Sequence, residues 1–268
     1  MRVFLKRWIG FSEKEERFFS SAKPLVIMGR GHSGTRVFSE FCEMVGYDLD
    51  AKNIMSTGDA SNIRFTNEIK KIALCFLKNG DSEKTVKWFK AVVWSYYNGL
   101  QVSPDNWGWK FPETYLIAPI VIKVFPNAKI LHIVRDGRDI AFKTHQTDRP
   151  DRPLGRLILK NMGVMDKPHY VQAAASWRFQ VDGFDRWKSN IPINQLHEVT
   201  FESFIQDPLD EGQKIADFLG KNFSTKHKEH LASIVDLRKL AQYKKEDPFE
   251  LDQILQMTKE TLKRWKYH

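Results

Sequence analysis

The chain has 268 residues, 42% hydrophobic and 28% charged, enough to bury one sizeable core within the range of a single large α/β domain. Lys and Arg number 42 against 33 Asp and Glu, a net +9 that favours anionic partners such as nucleotides, nucleic acid, acidic glycans or a membrane surface. Cys42 and Cys75 sit among helical apolar residues, which suggests core packing rather than a disulfide framework or a zinc site and points to a reducing, cytoplasmic setting. Charge interrupts the apolar residues of "MRVFLKRWIGFSEKEERFF" every few positions, so no integral membrane segment is expected, and this stretch reads as an amphipathic helix packed on the domain.

Pro24 to Met28 is a short apolar run, and Val37, Phe38, Phe41, Met44 and Val45 recur at helical spacing. Between them "GRGHSGTR" joins a buried strand to an amphipathic helix, the arrangement of a phosphate loop. Against G-x-x-x-x-G-K-S/T, Gly29 and Gly34 fall in the glycine places, but Thr35 and Arg36 stand where Lys and Ser/Thr belong. A magnesium-triphosphate site is therefore damaged at its centre. The N–H groups from Gly31 to Thr35 still open a helix, where unsatisfied donors and the helix dipole attract an anion. Arg30, His32 and Arg36 add potential charge, and Ser33 and Thr35 add hydroxyls.

"DLDAKNIMSTGDASNIR" is a polar loop over the strand ends carrying Asp48, Asp50 and Asp59. Residues 62–100 read as two helices with a turn at Asn79-Gly80-Asp81 and Ser82 as a cap. "NWGWKF" reads as a short strand that ends at Pro112, Glu113 to Phe125 as a helix, and "KILHIVR" as a buried parallel strand after the Pro126-Asn127 turn. Strand, helix, strand in this order implies right-handed crossovers and a parallel sheet. Arg135 falls at the C-terminal end of that last strand, the edge where open α/β sheets bind ligands, and its fork suits a phosphate. A structural pair, Arg135 with Asp139 or Arg138 with Asp136, is the competing reading.

Residues 145–170 are rich in Pro, Gly and charge and read as a mobile, lid-like insertion. Ala173 to Trp187 reads as a helix, "QLHEVTF" as a strand, and Pro208 to Leu219 as a helix with Gly220 just past its end. From residue 221 a helical tail is expected, broken at "KKEDPFE". The whole is expected to be one α/β, P-loop-like domain: a central parallel sheet flanked by helices, with its core over 24–220.

"GRGHSGTRVFSEF", followed about a hundred residues later by "ILHIVRDGRDIAFKTH", resembles the sulfotransferases that use 3′-phosphoadenosine 5′-phosphosulfate (PAPS), in particular the bacterial, carbohydrate and tyrosylprotein branches. "WGWKFPETYL", "AASWRFQV" and "VTFESFIQDPLDEGQKIADFLG" are similar to later family segments, and the likeness runs from about Pro24 to Gly220. The resemblance implies that the first loop cradles the 5′-phosphosulfate and the second the 3′-phosphate. It implies PAPS as donor, adenosine 3′,5′-bisphosphate (PAP) as product, and no metal.

It further implies a leaving-group contact from His32, where the family usually has Lys or Arg, or from Arg30, Arg36 or Lys110 with His32 only hydrogen-bonding, and a sulfonate contact from Lys110. Arg135 matches the arginine of the 3′-phosphate, while Lys143 replaces a serine there. Asp59, after Gly58, is the nearest match to the family's general base, with Asp48, Asp50, Glu113, His145 and His169 as rivals. Trp177 and Arg178 either lie near the adenine or pack the helix. Arg149, Arg152, Arg156 and Lys160 suit an anionic small-molecule or glycan acceptor, and equally a soluble loop. The alternatives are a catalytically silent PAP-binding homologue, which the changes at His32 and Lys143 favour, and a P-loop small-molecule kinase. A nucleic-acid partner is not expected, because the aromatic residues read as core.

Overall fold

The structure, a computed structural model, describes residues 10–50, 59–100, 102 and 105–267. The Gly58 match and residues 1–9 of the expected N-terminal helix lie outside them. Ser12 starts α1 (Glu13–Ser21) with a capping box, its hydroxyl taking the Glu15 N–H at 3.4 Å while its own N–H donates to the Glu15 carboxylate at 2.8 Å. The apolar run then forms β1 (Leu25–Met28), with every residue buried.

After β1 come α2 (Thr35–Met44), α3 (Ile63–Asn79) and α4 (Glu83–Leu100), which return the chain to β2 (Gly108–Lys110). Next follow a 3₁₀ turn (Pro112–Ile117), α5 (Ala118–Val124) and β3 (Lys129–Val134). Helix α6 (Gly137–Ala141), α7 (Pro153–Asn161) and α8 (His169–Asp185) lead to β4 (Leu196–Thr200). Helices α9 (Phe201–Gln206), α10 (Pro208–Leu219), α11 (Thr225–Ile234) and α12 (Pro248–Arg264) complete the described chain.

The four strands form one parallel sheet in the order β2-β1-β3-β4. β1 is central and hydrogen-bonded on both sides, which accounts for its unbroken apolar sequence. The chain leaves β1 toward one edge and later builds β3 and β4 toward the other, so the C-terminal ends of β1 and β3 flank the crevice where the winding reverses. One face carries the larger core, built on Trp107, Trp109, Phe89 and Phe125; the other packs Phe38, Phe41 and Phe204 beneath α2 and α9. Cys42 is buried, Cys75 half-buried, and both are free thiols. Among the described residues no helix is long and apolar enough to cross a membrane.

Three expectations change. The helix expected over Glu113 to Phe125 divides into the 3₁₀ turn and α5, because Pro119, in the first turn of α5, has no N–H to donate back along a continuous helix. Residues 145–170, expected as a lid of little periodicity, hold a 3₁₀ turn (Gln146–Asp148) and α7. Leu154, Ile158 and Leu159 share one face of α7 and are buried, an apolar stripe that the surrounding arginines and prolines obscure. Helix α8 begins four residues before the expected Ala173 and ends at Asp185, before Trp187. Pro208–Leu219 is a helix as read, with Gly220 in the left-handed conformation at its end.

Candidate active site

The loop between β1 and α2 is shaped by close approaches. A Cβ on Gly29 would lie 2.7 Å from the Ile133 carbonyl oxygen of the neighbouring strand. Gly34 is in the left-handed region at φ +78°, and a Cβ there would strike the Phe201 ring at 2.1 Å. Thr35, Arg36 and Val37 then form the first turn of α2, whose N–H groups point toward the strand ends.

His32 is also left-handed, at φ 71°, in a residue without glycine's freedom. Its Nε2–H donates to the Thr144 carbonyl at 2.9 Å, which leaves Nδ1 as an acceptor. Partial burial, assisted by Arg30 and Lys143, lowers its pKa below the usual histidine value, against the opposing pull of the Thr144 carbonyl and Asp148. The shift favours the neutral ring over the imidazolium in the free protein.

On one side of the loop lies a cleft of about 280 Å³ that the first turn of α2 shares with Lys110, Asp59, Pro112 and His145. Lys110, the last residue of β2, is almost fully buried, and its Nζ meets Asp59 Oδ1 at 2.5 Å. Burial lowers the Lys110 pKa, and Asp59 opposes that by holding the charge. His145 stands across the cleft, so close that a Cβ on Gly31 would touch its ring at 2.4 Å. Thr147 Oγ1 takes an N–H from Gln180 at 3.2 Å and so has its own hydrogen to give to His145 Nδ1 at 2.8 Å. The His145 proton is then on Nε2, 3.5 Å from Glu113 Oε1. Burial and the cations around it keep His145 well below the ordinary histidine pKa. Glu113 is wholly buried, which pushes its pKa up to about 7; its Oε1 accepts from Gln146, and its Oε2 has no hydrogen-bond partner among the described residues.

On the other side of the loop a second cleft, of about 230 Å³, shares His32, Gly34 and Arg36 with the first and adds Arg135. Phe201, Ile205 and Ile234 give it apolar walls, and Asp236 and Lys239 close it from the tail. Arg135 lies against the Phe201 ring, 4.5 Å from its centroid. Its Nη2 donates to Asp139 at 2.8 Å and to the Lys239 carbonyl at 2.6 Å, its Nη1 reaches the His32 carbonyl at 3.3 Å, and its buried Nε has no partner among the described residues. Trp177 packs on Gly137 and donates its indole N–H to the Arg135 carbonyl at 3.0 Å. Glu202 takes the Asp136 N–H at 3.0 Å and so fixes the turn after β3.

The comparisons with known proteins accord with this geometry. The model of a family described as the sulfotransferase family matches residues 49–225. The chain belongs to that family. Among solved structures, the sulfotransferase STF9 of Mycobacterium avium superposes at a TM-score of 0.58 and 14% identity, over 98% of this chain and 81% of that one. The sulfotransferase domain from the curacin biosynthetic pathway gives 0.57 at 12% identity, covering 90% of this chain and 98% of that one. Mouse sulfotransferase SULT7A1, complexed with PAP, gives 0.50 at 13% identity, over 94% and 90%. At these identities the likeness is one of fold. Among curated proteins no sequence matches.

Within this member of the family, the residues chosen from the sequence divide. Gly31, His32, Gly34, Thr35, Arg36, Asp59 and Lys110 come together in the first cleft, and Arg135 lies in the second. Arg30 does not join them. Its guanidinium is fully buried in an ion pair with Asp148 and donates to the Gly31 carbonyl at 2.8 Å, so it braces the loop from beneath instead of contributing a side chain to the cleft. Ser33 is buried in the loop's turn, with its N–H on the Arg30 carbonyl. Lys143 is exposed and lines neither cleft, although its charge reaches His32.

Asp48 and Asp50 are tied up in their own loop, Asp48 by the Asp50 N–H and Asp50 by the Ser61 hydroxyl. His169 is exposed, 3.8 Å from Asp148, and Arg178 bonds to Asp182 and the Met257 carbonyl. Both pairs that competed with a phosphate role form, Arg135 with Asp139 and Arg138 with Asp136. Sequence reasoning missed Asp148, Gln146, Phe201 and the tail segment at Asp236–Lys239. The phenylalanine of "VTFESF" stood in a recognised segment, but no local signal marked the others.

Proposed function

We propose that the protein transfers a sulfuryl group from PAPS to an acceptor hydroxyl of a carbohydrate, lipid or small molecule, leaving PAP. The observation that carries the reading is the pair of clefts on either side of one glycine loop. The first brings a helix N-terminus, Thr35 and Lys110 together; the second sets Arg135 beside apolar walls. A nucleoside with an anionic group at each end has the chemistry to span them. The N–H groups of the α2 first turn and the Thr35 hydroxyl receive the 5′-phosphate, Lys110 offsets charge on the sulfuryl oxygens, and Arg135 takes the 3′-phosphate.

In the step itself the acceptor oxygen forms a bond to sulfur as the sulfur–oxygen bond to the 5′-phosphate breaks. The acceptor proton passes to Asp59, whose carboxylate Lys110 holds at the cleft. His145, with its proton on Nε2, is a neutral donor in the same cleft. The protein's contribution is position and electrostatics, so the reading needs no metal.

A second reading, PAP binding without transfer, is favoured by one observation: the His32 ring is held on the Thr144 carbonyl, at the position where the resemblance implies a leaving-group contact. Calorimetric titration with PAP, with ATP plus magnesium as comparison, tests the donor site in the wild type and in Arg135→Ala. Preference for PAP, weakened about 10- to 100-fold by the loss of a charged hydrogen-bonding group in Arg135→Ala, is the expected result. Absence of PAP binding overturns both readings. PAP binding without PAPS turnover across an acceptor panel selects the silent one.

A further inference from the structure

The fork of Arg135 is aimed only as well as the backbone behind it is held. The peptide unit joining Arg135 to Asp136 is gripped at both poles: its carbonyl accepts the Trp177 indole N–H at 3.0 Å, and its N–H donates to Glu202 Oε1 at 3.0 Å. Because the unit is planar, two contacts on opposite poles fix its rotation, and with it the direction in which the Arg135 side chain leaves the turn. The grip on the N–H depends in turn on a residue far along the chain. Tyr267 donates its hydroxyl hydrogen to Glu202 Oε2 at 2.6 Å, a length typical of a hydroxyl on a carboxylate, and its oxygen lies 3.4 Å from the Val134 carbonyl.

The chain bends back to deliver that hydroxyl. Helix α12 closes with the paired bonds of a Schellman turn, the Tyr267 N–H donating to the Leu262 carbonyl at 2.9 Å and the Lys266 N–H to the Lys263 carbonyl at 3.0 Å. The left-handed place in this turn falls on Lys266, at φ 60°, where glycine is the usual occupant, so the bend carries strain that the docking of Tyr267 offsets. Arg264 and Trp265 anchor the same end of α12 on Asp185, at 2.8 and 3.0 Å, and Asp185 belongs to α8, the helix that also carries Trp177.

We infer that Tyr267 is a positioning residue for the 3′-phosphate: acting through Glu202, it fixes the Arg135–Asp136 peptide and so the aim of the arginine. The inference rests on the donor site proposed above, in which Arg135 takes that phosphate. It makes the preference for a nucleotide with a 3′-phosphate depend on a hydroxyl that touches no nucleotide. Adenosine 5′-monophosphate (AMP), which has no 3′-phosphate, serves as the reference ligand, since the glycine-loop end is the same for both. The experiment is calorimetric titration of PAP and of AMP into the wild type, Tyr267→Phe, Glu202→Leu, Glu202→Gln and Arg135→Ala. Tyr267→Phe keeps the ring and removes only the hydroxyl. Glu202→Gln retains an acceptor for the Asp136 N–H and a polar partner for the phenol, whereas Glu202→Leu retains neither.

The expected result is a PAP affinity lowered about fivefold in Tyr267→Phe, for one lost hydrogen bond, and about tenfold or more in Glu202→Leu, with AMP affinity within about twofold of the wild type in both. Glu202→Gln keeps PAP affinity within about threefold of the wild type, a rescue that a requirement for the carboxylate's charge would not allow. Should Glu202→Leu fail to fold, Tyr267→Phe decides. Equal weakening of PAP and AMP overturns the inference, because it marks a general structural role. So does PAP affinity unchanged in Tyr267→Phe while Arg135→Ala removes the preference for PAP, a result that leaves the donor site standing. No preference for PAP in the wild type, or one that survives Arg135→Ala, overturns the donor site and this inference with it.

Discussion

His32 holds a backbone conformation that costs an ordinary residue about 1–2 kcal/mol, and it does so between two anchors, its ring on the Thr144 carbonyl and its own carbonyl under Arg135. His32→Gly should therefore be more stable than His32→Ala by about 1 kcal/mol, measured by denaturant unfolding, although neither keeps the imidazole. Glu113 gives a pH signature. Its folded pKa, raised to about 7, lies above that of an exposed glutamate, so the folded state holds the extra proton between the two values. The resulting stability is fully present below about pH 4.5 and lost as pH rises through about 7, on the order of 3 kcal/mol in total. Glu113→Gln should flatten that component, so that the wild type minus variant difference in unfolding free energy falls from pH 5 to pH 8. At Asp59, substitution by Asn should lower turnover by about 10²- to 10⁴-fold while PAP affinity stays within a few-fold. Equal loss of both would make Asp59 a binding residue. The glycine loop and Arg135 were legible in the sequence because each lies at a strand end within one short segment. Arg30 was misread because its partner Asp148 is 118 positions away and nothing local marks their pairing.

The segment from His145 to Asn161 shows what the sequence hides at the scale of an element. Its charges and prolines read as a solvated lid, yet Thr147 and Asp148 are buried and the stripe on α7 is core. Asp148 joins this element to the loop: it pairs with Arg30 and also accepts the His145 N–H at 2.8 Å. Removing one member leaves the other charge buried and alone, a loss of about 3–5 kcal/mol, whereas replacing both with apolar residues of similar size is often neutral. Asp148→Ala should accordingly lower the unfolding free energy by that amount. Arg30→Met with Asp148→Leu should recover much of it, short of the His145 N–H bond that neither substitute can accept. Denaturant curves on the single and double variants measure the coupling. Helix α10, by contrast, was read to the residue, since Pro208 at its first turn and Gly220 after its last both act through local backbone geometry.

Across the whole molecule, 42 basic side chains against 33 acidic ones favour the approach of an anion from any direction. Ions in solution screen that attraction over about 10 Å at 0.1 M, so PAP affinity should fall by about three- to tenfold between 50 and 500 mM salt. A salt-independent affinity would show that apolar contact with the second cleft's walls dominates. The fold class was legible throughout, because strand-and-helix alternation with apolar strands leaves few topologies. The closing of the second cleft was not, because it depends on tail residues that contribute carbonyls and loop positions, which carry no motif.

Arg135 reaches the Lys239 carbonyl, and Tyr243 gives its N–H to Asp139 at 2.9 Å, so the second cleft is finished by residues about a hundred positions downstream of the arginine it surrounds. During synthesis the glycine loop, the sheet and Arg135 leave the ribosome first, and the cleft still lacks a wall. Completion of that cleft is then a late event in the life of a nascent chain, and a polypeptide stalled before residue 234 would carry the recognisable signature of its family without the finished wall beside Arg135.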